Sequence, residues 1–533
     1  MKFKTISILL FSINIIYPIF SLAKIKSTYN ICNFGALGDG KTLATTAIQA
    51  AIDSCTITGG TVFLPAGTYL SGTIVMRSNV TLHVSEGATL LGSTKMEDYL
   101  EKIPKIRSYT DQYVKQSLIY GEDLQNIAIT GRGTIDGQGS AFKVTTRKKP
   151  ERYYNRPYII RLINCKNVLV EDVTMQNSAM WMQHYLACDH LTIRGIRVYN
   201  HCNQNNDMID IDGSRNVIVS DCVGDTDDDA LTIKSTSGYV AENITVTNCI
   251  LSSHCNAIKM GTESHGGFKN ITISNCVVKP SAHPNKIYGN SGGISGITLA
   301  IVDGGALNGI IIDNIRIAGP RVPIYLRLGD RGRIYKNGMD RPAIGTFRNV
   351  MLSNIIASQS DTIGCSITGL PGYPIENISL HNISITFKGG GSIQDAMKQV
   401  PELPDHYPES TMFGKLPCYG FFIRHAKNVS LSNLNLTFEQ PDHRYAVQCD
   451  DVQGLDISRL RAQGTPESKA LIKLLNSQDV LVSNTRLLSN IGLFMQIQGE
   501  DTRGIMLCAN KLLKAKRIID IGDDVDKKEV QVD

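Results

Sequence analysis

From Asn79 onward the chain repeats one short pattern of apolar and polar positions. Asn, or a similar residue, is followed by two alternations of Val, Ile or Leu with polar residues, and then by Asn or Asp. Copies begin at Asn79 (NVTLHV), Asn126 (NIAITG), Asn167 (NVLVED), His190 (HLTIRG), Asn216 (NVIVSD), Asn243 (NITVTN), Asn270 (NITISN) and Asn308 (NGIIIDN). They continue at Asn349, Asn377, Asn428, Gly454 and Asp479. Strict alternation marks a strand with one buried face. From Asn167 to Asn270 the intervals are 23, 26, 27 and 27 residues. Units this small cannot bury a face alone, so they must stack on one another.

The strands are short and β-branched, which disfavours a leucine-rich horseshoe or a helical repeat. A β-propeller needs antiparallel blades of roughly 40 residues, longer than the dominant interval. The pattern therefore predicts an all-β fold: a right-handed, single-stranded parallel β-helix of roughly ten or more coils. Asn at the coil corners fits its tolerance of left-handed backbone. One stretch, Thr45 to Cys55 (TTAIQAAIDSC), has helical spacing. It is expected to cap the open end of the stack, since terminal repeats must hide their exposed face. Expected boundaries are a signal peptide at 1–23, a cap with the first coils at 24–78, the β-helix at 79–510 and a C-terminal tail at 511–533. Loops around Tyr99–Tyr120, Lys143–Asn155 and Gly389–Pro417 interrupt the repeat and are expected to wall one end of a groove.

The first residues, MKFKTISILLFSINIIYPIFSLAK, join Lys2 and Lys4 to an apolar run from Ile6 to Phe20 and a small-x-small site ending at Ala23. That order is a secretory signal peptide, with export to the periplasm or cell exterior. A net charge of +5, with no long basic block, gives no argument for nucleic acid. No other apolar run is long enough to span a bilayer. The expected protein is a monomer. Of the 13 cysteines, Cys222, Cys249 and Cys276 lie 27 residues apart. In stacked coils they form a ladder of small packing residues rather than bridges.

The densest chemistry lies at NNDMIDIDGSRNVIVSDCVGDTDDDALTIKS, Asn205 to Ser235. Asp207-Met208-Ile209-Asp210-Ile211-Asp212 aligns with Asp229-Ala230-Leu231-Thr232-Ile233-Lys234, and again with Asn256-Ala257-Ile258-Lys259-Met260-Gly261. Stacking puts Asp207, Asp229 and Asn256 in one column, with Asn206, Asp228 and Cys255 beside it. Strand parity turns Ile209, Ile211, Leu231, Ile233, Ile258 and Met260 inward. Asp210, Asp212, Thr232, Lys234 and Lys259 then face the groove. Carboxylates crowded together raise one another's pKa, which separates a protonated acid from an ionised base. Asp225, Asp227, Asp228 and Asp229 equally suit a Ca²⁺ site through their hard oxygens.

Several motifs together resemble glycoside hydrolase family 28, the polygalacturonase-like pectinases. They are Phe34-Gly35-Ala36-Leu37-Gly38-Asp39-Gly40, Gly133-Thr134-Ile135-Asp136-Gly137-Gln138-Gly139, Asn177 to His184 (NSAMWMQH), Asn205-Asn206-Asp207 and Asp228-Asp229. The resemblance implies an inverting hydrolase of a pectic, galacturonate-containing polysaccharide, needing no cofactor or metal ion. By resemblance Asp228 is the general acid, and Asp207 and Asp229 activate the water. Inversion implies carboxyls roughly 6.5–9.5 Å apart. Asn205, His254, Lys234, Lys259, Arg327 and His184 are the expected substrate contacts.

Two motifs depart from the family. Cys255-Asn256-Ala257 stands where Gly-His-Gly is expected, with His254 two positions early. Gly296 to Ile301 (GITLAI) holds no cation where Arg-Ile-Lys is expected, and Arg327, Arg331 and Arg333 follow one coil later. Trp181, His184, Tyr325 and Tyr335 are candidate sugar platforms. A Ca²⁺-dependent lyase or a non-catalytic carbohydrate-binding β-helix are the competing functions.

Overall fold

The computed structural model describes residue 1 and residues 27–533; the expected signal segment and its cleavage site lie outside them. The described chain winds into a parallel β-helix with three strand stacks. One stack, the back sheet, is built from the thirteen repeat copies in sequence order. Val80–Val84 pairs with Gln125–Thr130, that strand with Lys166–Glu171, and so on through Asp189–Arg194, Arg215–Ser220 and Ala241–Thr247. The later copies continue the same register to Gln478–Ser483.

The corner residues explain why the coil turns where it does. Asn79, Asn126, Asn167, His190, Asn216, Asn243 and Asn270 all have φ between 52° and 64°. Asparagine tolerates this left-handed backbone better than other side chains that carry a Cβ. Its amide also bonds its counterpart one coil away: Asn126 Nδ2 donates to Asn79 Oδ1 at 2.9 Å and Asn167 Nδ2 to Asn126 Oδ1 at 2.7 Å. His190 interrupts this ladder. Asn216 bonds Asp189 at 2.8 Å instead, and the asparagines resume with Asn243 on Asn216.

A second stack, the cleft sheet, runs through Gln183–Leu186, Ile209–Asp212, Leu231–Ser235, Asn256–Ser264, Ser295–Ile301 and Val322–Leu328. Its inward positions form continuous apolar rows. Ile209, Leu231, Ile258, Ile297 and Ile324 stack in register and are buried in one core that fills the coil. Each such side chain contributes roughly 1.5–3 kcal/mol on burial. Cys222, Cys249 and Cys276 form the expected ladder of buried free thiols, each donating to the carbonyl two residues earlier in its own strand region.

The helix Thr45–Thr58 buries Ala47, Ile48, Ala51, Ile52 and Cys55 against the first coil and closes that end. The boundary expected at residue 79 falls inside continuous pairing, because Gly60–Leu64 already pairs with Val80–Val84. The segment expected as a tail is also coil: Ala515–Ile521 pairs with Ile491–Gln498, and Val530–Val532 with Arg503–Cys508. Its polar composition hid strands that lie at the end of the stack. A short helix, Ile393–Ala396, occurs inside the Gly389–Pro417 insertion. Among the described residues no helix is long and apolar enough to cross a membrane.

Candidate active site

The alignment of the three acidic-region strands is the register that the sheet adopts. Ile209 pairs with Leu231 and Leu231 with Ile258. Two residues earlier on each strand, Asp207, Asp229 and Asn256 meet at the coil corner. There Met208 N donates to Asp229 O at 3.0 Å and Ala230 N to Asn256 O at 2.9 Å. Asp207, Asp228 and Asp229 line one cleft of about 350 Å³.

Each carboxylate in the cleft has a different partner. Asp229 accepts from Lys259 Nζ at 2.6 Å and from Asn256 Nδ2 at 2.7 Å. Asp207 lies 3.6 Å from Lys234 Nζ, while its Oδ1 is buried with no hydrogen-bond partner. Asp228 accepts only a long bond, 3.4 Å, from Asn205 Nδ2. Burial, and then Asp229, push the Asp228 carboxyl up to about 7. Burial, with Asp210 and Asp228 next, raises Asp207 well above the ordinary carboxylate range and outweighs Lys234. Raised carboxyls beside a carboxylate held by a lysine and an amide are an arrangement that can both give and take protons.

Lys234 and Lys259 offset this column. Lys234 lies 3.4 Å from Asp210 and 4.0 Å from Glu263, with Trp181 beneath it at 4.5 Å to the ring centroid. Lys259 also reaches Tyr407 Oη at 3.2 Å. Burial works against the Glu263 charge, but Arg333, Lys234 and Arg331 hold its carboxyl well below the usual range.

Several expected contacts are placed elsewhere. His184 does not line the cleft: it is fully buried, with Nε2 2.9 Å from Asp212 Oδ2, and packs beneath Trp181. Asp210, Asp212 and Thr232 face outward but lie under side chains and loops, so only Lys234 and Lys259 of that set reach the cleft. His254 is turned away from it, with Nδ1 2.9 Å from Asp227 and Nε2 3.3 Å from the His283 carbonyl. Arg327 is buried and donates to the Glu402 and Leu403 carbonyls at 2.7 and 3.1 Å. It anchors the loop that carries Tyr407 rather than meeting a ligand. Arg331 and Arg333 both pair with Asp303 at a part-buried site, and only Arg333 reaches the cleft. Of the aromatic candidates Trp181 lines the cleft; Tyr325 and Tyr335 do not.

The cleft walls come from the three insertions. Tyr113 belongs to the first, Lys149, Arg152 and Tyr153 to the second, and Tyr407 and Glu409 to the third. A fourth wall, Tyr288, sits on the loop after Phe268–Val278. These residues escaped the sequence reading because no repeat fixes their direction; the one available signal was the clustering of Tyr, Lys and Arg in long insertions. The insertions approach from both directions along the coil axis, where one walled end was expected. Tyr109 N bonds Thr236 O at 2.7 Å across the N-terminal side, and Arg333 lies 3.9 Å over the Tyr109 ring. Lys149 and Arg152 are the two cleft cations in no ion pair among the described residues. Arg152 instead donates to Gln204 Oε1 at 2.7 Å and to Tyr288 Oη.

The sequence profile of the glycosyl hydrolases family 28 matches residues 55–407. An exo-poly-alpha-D-galacturonosidase of Dickeya chrysanthemi is 30% identical over 265 residues, 41% of this chain and 44% of that protein. A probable polygalacturonase of Vitis vinifera is 31% identical over 216 residues, 39% of this chain and 44% of that protein. The chain thus spans about half the length of the curated relatives it matches. Among solved structures, an exopolygalacturonase from Thermotoga maritima aligns with a TM-score of 0.59 at 22% identity, over 77% of this chain and 92% of that one. The family 28 exopolygalacturonase of Yersinia enterocolitica aligns with a TM-score of 0.61 at 20% identity, over 81% and 78%. These two share the β-helix fold. With a profile match over most of its length and an acidic column at the matching coils, the chain belongs to family 28 of the glycosyl hydrolases.

Proposed function

We propose that this protein hydrolyses glycosidic bonds of a galacturonate-containing polysaccharide, with inversion, releasing sugars from a chain end. The observation that carries the proposal is geometric: Asp207, Asp228 and Asp229, brought from two successive coils, converge on one cleft. Asp228 is assigned as general acid, since Asp207 faces Lys234 and Asp229 faces Lys259, whereas its own carboxyl meets only the Asn205 amide among the described residues. Asp229, held by Lys259 and Asn256, is assigned to deprotonate the attacking water, and Asp207, with one oxygen unbonded among the described residues, to orient it. Asn256 thus stabilises the base carboxylate at the position where the family motif has histidine.

Lys149 and Arg152 are assigned to the sugar carboxylate. Both line the cleft without an acidic partner, and Arg binds carboxylates in a fork. They take the role of the missing Arg-Ile-Lys motif. Walls at both ends of the cleft favour a terminal sugar over a continuous chain. Export by the N-terminal segment Met1 to Ala23 fits a polymeric substrate that cells cannot import whole.

The test is product analysis on polygalacturonate and its oligomers, with the anomer followed by NMR. Monosaccharide or a short unit appearing from the start, in the inverted configuration, is expected. Unsaturated products lost on chelation would instead identify a lyase, and a retained anomer would remove the inverting assignment.

A further inference from the structure

Beside the cleft, on the same coil corners, lies a second column that the proposed hydrolysis does not use. Asn200, Thr226 and Ser253 pair in register on three successive strands. The next residues along the chain are His201, Asp227 and His254. Each offers a ligand atom within 4.8 Å of the other two, and all three side chains are buried.

The hydrogen bonds around this column fix which ring atoms face it. His201 Nε2 lies 2.9 Å from Asp225 Oδ1, an acceptor, so Nε2 carries the proton. His201 Nδ1 is then a bare lone pair. It is buried, with no hydrogen-bond partner among the described residues, on a residue only 8% exposed. His254 Nε2 lies 3.3 Å from the His283 carbonyl, again an acceptor, so it can hold the ring proton once an ion takes Nδ1. His254 Nδ1 faces Asp227 Oδ1 at 2.9 Å. The Asp227 carboxylate is in turn held by backbone donors, Ile287 N at 2.7 Å and Tyr288 N at 2.9 Å. One imidazole lone pair, a second ring nitrogen that bonds Asp227 and would give up its proton to a metal ion, and an oriented carboxylate therefore converge, with the far nitrogen of each ring tied to an oxygen. That outer arrangement is how proteins orient metal-binding histidines. An imidazolium at His254 would satisfy Asp227 but would leave His201 Nδ1 unpartnered.

We propose that His201, Asp227 and His254 bind one divalent transition-metal ion of the zinc class. The nitrogen donors select against Ca²⁺ and Mg²⁺, which prefer oxygen. The ion would join three consecutive coils through one ligand from each. It would also hold the loop bearing Tyr288 to the corner that presents Asp228. Its role is structural, outside the acid–base chemistry, so the site stands or falls independently of the activity.

The experiment uses the full chain, stripped with a chelator, re-equilibrated with Zn²⁺ and passed through a desalting column. Metal content by mass spectrometry and Tm are then read. About one zinc per chain, a raised Tm, and loss of both in His201→Ala are expected. The cleft variant Asp228→Asn should keep its zinc. X-ray absorption on the parent protein should show nitrogen ligands at about 2.0–2.1 Å, a readout that survives if His201→Ala misfolds. Sub-stoichiometric zinc in the parent protein would overturn the proposal. So would zinc retained by His201→Ala, or zinc lost by Asp228→Asn, which would place the ion in the cleft.

Discussion

The back sheet and the cleft sheet stack residues in the same register, yet they tolerate opposite chemistry at their corners. On the back sheet, Asn243 bonds Asn216 at 3.3 Å and Asn270 bonds Asn243 at 3.2 Å. An amide both donates and accepts, so a column of asparagines satisfies itself at any length. On the cleft sheet, Asp207 and Asp229 occupy the equivalent relation one coil apart. A carboxylate only accepts, and its neighbours repel it. This column therefore ends after two coils, at Asn256, and draws Lys234 and Lys259 from neighbouring rows. The coil supplies a uniform scaffold, and the self-complementarity of each column decides whether a corner is inert or reactive.

The comparison can be broken most sharply at Asp228. Asp228→Asn should lower kcat on galacturonate oligomers by about 10²–10⁴-fold. Tm should not fall, because Asn keeps the shape and removes a like charge. Reducing-end assays and calorimetry on the same preparations check both halves. Next is Lys259→Met, which strands the buried Asp229 charge. Removing one partner of a buried pair costs about 3–5 kcal/mol, and equilibrium denaturation should read that loss. A loss below 1 kcal/mol would mean that the column does not need its cation.

Arg152→Ala, and separately Lys149→Ala, should weaken kcat/KM for acidic oligomers about 10- to 100-fold, as loss of a charged hydrogen bond of about 1.5–3 kcal/mol predicts. The loss should fall mainly on KM and should vanish for a methyl-esterified substrate. Stability against pH sharpens the contrast further. Burial raises Asp210 from 3.8 to about 7 in the folded state, with Lys234 opposing. The folded form then binds the proton more tightly than the unfolded form. Its contribution is fully present below about pH 4 and is lost as pH rises through about 7. Asp210→Asn should flatten that fall in a pH series of unfolding curves. The back sheet should leave activity untouched: Asn243→Ala should cost about 1–2 kcal/mol, from the left-handed corner at φ 56° and the lost ladder bonds.

Much of the scaffold was legible because it is periodic. The thirteen copies starting at Asn79 name the strands, and the Asn at each corner names the turn. The offsets from Asp207 to Asp229 to Asn256 are the pairing register itself. What periodicity does not reach was read less well. Outward residues such as Asp210 and His184 have their exposure decided by what covers them, and here side chains and insertions do. Arg327 lies one coil beyond the expected cation and His254 two positions before the expected histidine, and their rotamers point to a loop carbonyl and to Asp227. The residues at 511–533 lack the Asn-led pattern, yet they pair because the preceding coil offers an open edge.

The uneven spacing of the repeat has a consequence for how such a molecule diversifies. Between Asn377 and Asn428 the chain lengthens to 51 residues, yet Asn428 still bonds Asn377 at 3.0 Å, as if nothing had been inserted. The detour leaves and rejoins the coil away from that corner and delivers Tyr407 and Glu409 to the cleft. Loop length and core register are thus independent variables. Pocket shape can be exchanged between such proteins by cutting at strand ends, with the acidic corner and the apolar rows carried over intact.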